Sequence, residues 1–154
     1  MRRSIFFLSA LLAVFCAGCR TTRPLPPADF SAPGWSVQQG QAVWKPSQNR
    51  PEVAGDLLLA TNVNGNFFIQ FSKIPFPLAT AQVSGGQWQI QFGADQYSWH
   101  GRGTPPGRFG WFQLPGALRD QTPGGKWHVS RVESNAWRLK NPHTGEVLEG
   151  EFFP

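Results

Sequence analysis

Cysteine is almost missing from this chain: of 154 residues only Cys16 and Cys19 are cysteine, both within the first nineteen positions. Everything after Cys19 is therefore without an internal disulfide, a thiolate metal site or a cysteine nucleophile. Charge is sparse as well, at 15% of residues, with a formal net charge of +5. Without Arg2 and Arg3 the balance falls to +3, and the remaining basic residues are scattered rather than clustered. That excludes a nucleic-acid footprint, and no nucleic-acid partner is expected. Long apolar runs are missing too. The longest, Ile5 to Phe15, covers about 11 residues where a membrane-crossing helix needs about 20.

Catalytic and metal-binding patterns are equally scarce. His100, His128 and His143 stand 28 and 15 residues apart, without paired-ligand spacing or a surrounding acidic cluster. No Gly-x-Ser-x-Gly elbow occurs, and the glycine-rich stretch from Gly101 to Gly107 lacks the lysine and hydroxyl pair of a phosphate loop, so it reads as a tight crossing. Glu146, Glu149 and Glu151 offer carboxylates, but Glu149 and Glu151 share one strand face and read as a solvated edge. The expectation is a protein with no enzymatic role, no metal and no cofactor.

What is present begins at the N-terminus. Met1-Arg2-Arg3 is a short basic region, the run to Phe15 is an export-type apolar segment, and Cys16-Ala17-Gly18-Cys19 follows. This arrangement resembles the bacterial lipobox, with Gly18-Cys19 matching and Cys16 standing where leucine is usual. The reading is a leader over residues 1–18 and an acylated Cys19; an ordinary signal peptide cut nearby is the alternative. The residue after the cysteine is Arg20 rather than Asp, which by the same resemblance favours the outer membrane, with the domain facing the periplasm. Acyl chains on Cys19, each buried methylene contributing about 0.8 kcal/mol, anchor a chain without a transmembrane helix.

Removal of the leader leaves 136 residues, enough for one domain with a real core. Residues 19–33 carry the lipid site and a proline-rich run, expected to be an extended, mobile tether that holds the domain off the bilayer. Residues 34–154 are rich in glycine, proline and tryptophan between short apolar segments, which predicts a single β domain. Gln87-Trp88-Gln89-Ile90-Gln91-Phe92 alternates without a break, the mark of a half-buried antiparallel strand. Ser84-Gly85-Gly86 joins it to a strand from Leu78 to Val83, and Gly93-Ala94-Asp95 leads to Gln96–His100, with Tyr97 and Trp99 on one face. Asn64-Gly65 marks a hairpin between Gly55–Thr61 and Asn66–Phe71. Trp35–Trp44, Lys126–Val132, Ala136–Lys140 and Glu146–Phe152 complete a set of about eight strands. The segment Pro105–Leu114 breaks the pattern. It predicts one or two helical turns or an irregular crossover, with Pro115-Gly116 as the stop.

Gly55-Asp56-Leu57-Leu58-Leu59, the strand ending at Phe71, Trp88-Gln89-Ile90, the run Pro106 to Pro115, and Trp137-Arg138-Leu139 with Thr144-Gly145-Glu146 together resemble the LolB family of outer-membrane lipoprotein receptors and its periplasmic relatives. The resemblance spans most of Trp35 to Phe152. It implies a curved antiparallel sheet or incomplete β-barrel whose concave side binds acyl chains of a lipoprotein received from a periplasmic carrier, in a monomer. On that reading Trp88, Ile90, Phe92, Tyr97, Trp99, Trp111 and Trp137 line the cavity, and Ile74 and Phe76, in Ser72–Pro77, form a membrane-contact loop. Gly101–Thr104 leaves no room for the family's lid helix. The residues also admit plainer readings: the aromatics as a filled core, the loop side chains tucked in, and a structural or interaction lipoprotein that binds an envelope protein or glycan.

Overall fold

The computed structural model describes residues 24–93, 97–131 and 135–154. Cys19 and the leader, Ala94 to Gln96, and Val132 lie outside the described residues. Among the described residues nine strands and one helix follow in chain order: β1 (Trp35–Lys45), β2 (Val53–Asn62), β3 (Phe67–Lys73), β4 (Phe76–Ser84), β5 (Gln87–Phe92), β6 (Tyr97–Arg102), α1 (Gly110–Leu118), β7 (His128–Arg131), β8 (Ala136–Lys140) and β9 (Val147–Phe152). The strands form one antiparallel sheet in the order β6-β5-β4-β3-β2-β1-β9-β8-β7. The fold is thus mainly β, an open antiparallel sheet with one short helix, as the sequence pattern predicts; the strands number nine rather than about eight.

Hairpins build the first six strands, and their turns are set by local chemistry. Gly85 and Gly86 both have positive φ, at 57° and 71°, the backbone that a two-residue turn between right-twisted strands requires. The long-range step is β1 pairing with β9, with Gly40 opposite Phe152 and Trp44 opposite Leu148. Small residues permit it. A Cβ on Gly40 would lie 2.0 Å from the Glu151 carbonyl oxygen, and one on Gly150 would lie 2.4 Å from that of Gln41. β9 is therefore a central strand, which corrects the reading of Glu149 and Glu151 as a solvated edge: they stand on the outer face, Glu149 paired with Arg138 at 3.3 Å.

One face of the sheet curls around α1. Trp88 on β5 meets Phe112 at a centroid distance of 5.8 Å, and the same helix touches β8. These strands are six positions apart, about 29 Å in a flat sheet at 4.8 Å per strand. A nine-residue helix is only about 14 Å long. Only a curved sheet brings both to it.

The helix begins later and ends later than its sequence suggests. Residues 105–109 form an irregular crossover, pinned where the buried Trp127 donates its indole N–H to the Gly107 carbonyl at 2.8 Å. Pro115 is inside the helix rather than its stop. Its fixed φ suits a helix, it gives up a single backbone bond, and burial of Leu114, Pro115 and Ala117 against the sheet offsets that loss. The actual stop is a Schellman closure: Gln121 donates to the Gly116 carbonyl at 3.0 Å and Asp120 to that of Ala117 at 3.2 Å, with Asp120 at φ 58°.

The proline-rich run is a second correction, because from Pro24 onward it belongs to the fold. Leu25 donates its backbone N–H to Gln89 Oε1 at 2.7 Å, Gln82 Nε2 donates to the Pro26 carbonyl at 3.1 Å, and Phe30 packs on Phe68 and Trp35. These contacts lie over β5, β4 and β3 in turn, on the face away from α1. Gln82, Gln89 and Phe68 occupy one cross-strand row, so the run crosses the strands as a strap. Under it Gln89 is buried although it is polar, and Ala60 in the same row is fully buried.

Candidate functional site

Inward-facing residues follow the two-residue alternation, and the helix decides which become core. Leu57, Leu59, Ile69, Phe71, Ala81 and Ile90 are buried against Trp111, Phe112 and Leu114. Trp111 stacks on Phe71 at 5.3 Å and meets Trp44 at 5.7 Å edge-on. The middle of the concave face is therefore filled. The indole N–H groups of Trp111 and Trp137 are both buried without an acceptor among the described residues, each a desolvation cost of about 1–3 kcal/mol.

The seven aromatic and aliphatic residues singled out in the sequence divide accordingly. Ile90, Trp111 and Trp137 are buried core. Trp88 and Phe92 are half-buried, Trp88 against Phe112 and Phe92 stacked on Trp44 at 5.4 Å. Tyr97 and Trp99 lie on edge strand β6, stacked on each other at 6.2 Å and 62% and 38% exposed. Phe109, with the Arg108 guanidinium over its ring at 4.7 Å, joins Trp99 to Phe92. One unbroken line of ring contacts thus runs from the solvent edge at Tyr97 to the core at Trp111.

Ile74 lies in the β3–β4 turn and Phe76 opens β4, and both stand in solvent, at 82% and 63% exposure. His100 is on β6 and His128 on β7, the two opposite edges of the sheet, while His143 lies in the turn before β9.

The cavity best suited to a ligand opens at the C-terminal end of α1, beyond the filled centre. Its volume is about 470 Å³. Leu59 and Thr61 of β2, Leu118 of α1, Trp137 of β8 and Phe152 and Phe153 of the C-terminal run form its walls, and Arg119 and Arg131 bring positive charge to it. Arg131 is held in place by Asp120 at 3.1 Å and by the Leu118 carbonyl at the helix end. That guanidinium answers the negative end of the helix dipole and gives a cationic margin to a cavity whose lining is apolar and polar in nearly equal share, with Gln38, Thr61 and Asn135 beside the apolar side chains. Of the seven residues read from the sequence, Trp137 alone lines it. The others were not legible as a cavity wall, because Leu59 and Phe152 carry only the generic inward alternation. Arg119 and Arg131 come from a helix end and an edge strand that are distant in sequence.

A larger and more open depression of about 580 Å³ lies over β1, β2, β8 and β9, where Gln41, Asp56, Arg138, Glu149 and Glu151 place charges of both signs among apolar surface. Its open form encloses a flexible hydrocarbon less than the cavity at the end of α1 does.

Among the described residues Glu146 is the one carboxylate with a strongly altered environment. Its Oε1 accepts the indole N–H of Trp44 at 3.0 Å, and burial pushes its pKa up to about 7 against the opposing effect of that hydrogen bond. Asp29, on the strap, shifts the other way because the Ser31 hydroxyl and backbone N–H both donate to it. Among the described residues no helix is long and apolar enough to cross a membrane. No protein-family model matches the chain, and no curated protein sequence matches it.

Proposed function

We propose that this protein is a lipid-anchored envelope protein, acylated on Cys19 at the outer membrane, whose β domain binds an acyl chain in the cavity at the end of α1. The cavity itself carries the reading: about 470 Å³, walled by Leu59, Leu118, Trp137 and Phe152 and bordered by Arg119 and Arg131. Its volume falls within the usual range of about 300–1,000 Å³ for small-molecule sites. A tail in contact with the apolar wall and an anionic or ester head beside the guanidiniums match that lining. The exposed Ile74 and Phe76 would let the domain touch a bilayer while it receives or releases such a chain.

Native mass spectrometry of the mature chain released from detergent tests this reading. A stoichiometric acyl-chain adduct that disappears in Leu59→Trp, which fills the cavity, is the expected result. An empty protein that also fails to take up lipidated peptide overturns it. The second reading, a non-catalytic module for an envelope protein or glycan, is favoured by the filled centre of the concave face and by the exposed aromatic pair on β6.

A further inference from the structure

The strap fixes where the chain leaves the domain. From Trp35 backwards it passes over β3 at Phe30, over β4 at Pro26 and over β5 at Leu25. The next strand in that direction is β6, at the edge of the sheet. Leu25 follows Cys19 by six positions, and a fully extended chain covers at most about 3.6 Å per residue, so the chain between them can reach at most about 22 Å from the Gln89 contact. A mobile tether counted from Trp35 would be sixteen residues long and would leave the domain's orientation free.

The strand nearest that exit, β6, has the chemistry of a membrane interface, with Ser98, His100 and Arg102 on the strap's face and Tyr97 and Trp99 on the face towards α1. Tyr97, Ser98, Trp99, His100 and Arg102 of β6 are all exposed. Tyr and Trp combine an apolar ring with a polar tip, which suits the boundary between headgroups and hydrocarbon. Neither β6 nor the stretch from Arg20 to Arg23 contains an acidic residue, and together they supply Arg20, Arg23 and Arg102. Basic residues close to a membrane surface are attracted to anionic headgroups.

We propose that the strap and the Cys19 anchor together lay edge strand β6 against the lipid surface, so that Tyr97 and Trp99 sit at the headgroup level and Arg102 meets anionic lipid. This inference rests on the acylation of Cys19, which an intact mass of the mature chain checks separately. Contact with lipid would also cover the unpaired backbone groups of β6, an edge otherwise open to pairing with another strand.

The experiment uses the full mature chain in vesicles of phosphatidylethanolamine with phosphatidylglycerol. A solvatochromic fluorophore is attached at Ser98→Cys on β6 or at Ser130→Cys on β7, both exposed positions at opposite edges. His100→Cys serves as a second β6 position should Ser98→Cys fail to fold. A blue shift and quenching by spin-labelled lipid on β6, and neither on β7, is the expected result. Equal responses at the two edges, or a larger one on β7, overturn the proposal. Insertion of ten Gly/Ser residues between Arg23 and Pro24 should abolish the β6 response without changing the melting temperature. A β6 response that survives the insertion removes the strap from the mechanism. A chain shown by mass to lack acylation would refute the anchor reading itself, an outcome distinct from an acylated chain whose β6 stays in water.

Discussion

Glu146→Gln should stabilise this protein at neutral pH and erase part of its pH dependence. The Glu146 carboxyl is buried beside Trp44, and its pKa rises from 4.5 to about 7 in the folded state. The unfolded chain gives up this proton near pH 4.5 while the native state retains it, so between these values the native state binds more protons. Stability from this group is present in full below about pH 4.5 and is lost as pH rises to about 7. Above that the penalty is constant. At 1.36 kcal/mol per pKa unit, the shift corresponds to at most about 3 kcal/mol. Glutamine keeps an oxygen that can accept from the Trp44 indole, at 3.0 Å in the wild type, without a charge to bury. Urea unfolding followed by tryptophan fluorescence from pH 4 to pH 8 measures the effect. The difference between variant and wild type is the informative quantity, since the other carboxylates titrate in both. It should be near zero at pH 4 and grow to roughly 1–3 kcal/mol in favour of the variant at pH 8. A difference that stays flat across this range would refute the reasoning.

Trp111→Ala should destabilise by about 3–5 kcal/mol, because it leaves a void between Phe71 and Trp44, and a calorimetric melt measures it. Gly110→Ala should cost about 1–3 kcal/mol by overpacking, since its Cβ would stand 2.5 Å from the Trp127 ring and 2.7 Å from Leu148; Leu148→Ala should lower the melting temperature less in that background than in the wild type. Asp120→Gly should be more stable than Asp120→Ala by about 1 kcal/mol in chemical denaturation, because both lack the carboxylate and only alanine strains at φ 58°. Replacing both Ile74 and Phe76 with Ser should leave stability within about 0.5 kcal/mol and slow the transfer of bound acyl chains into acceptor vesicles.

The strands were legible wherever one face was buried and the other wet. Ala136–Lys140 has the bounds its pattern suggests, and β5 is the segment whose alternation is unbroken. Local signals failed where a distant partner decides the outcome. Gln89 reads as a solvated residue, yet the strap buries it, and nothing in the composition of Arg-Thr-Thr-Arg-Pro-Leu-Pro-Pro shows that Leu25 has a glutamine to meet. Trp127 alternates with Val129 between Lys126, His128 and Ser130, yet nothing local shows that its indole meets the Gly107 carbonyl twenty residues earlier. Pro115 carries a strong local stop signal that burial against the sheet overrides. For the aromatic face, alternation identifies the side on which Trp88, Ile90 and Phe92 point; whether that side is a cavity depends on where α1 packs.

The length of α1 explains why the open cavity and the exposed aromatics lie at the ends of the sheet. Nine residues of helix cover about 14 Å, whereas β1 with eleven residues runs for about 35 Å. In whatever direction the helix crosses, it fills the middle and leaves concave surface bare beyond each end. At one end, near Trp35 and the C-terminus, the uncovered surface is the cavity of Leu59, Leu118, Trp137 and Phe152. At the other, near Trp44, it is the graded series Phe92, Trp99 and Tyr97, shielded in part by Phe109. A helix two turns longer would cover more of both, leaving less open cavity and fewer exposed aromatics; the short helix keeps the two surfaces open while Trp111 still closes the core.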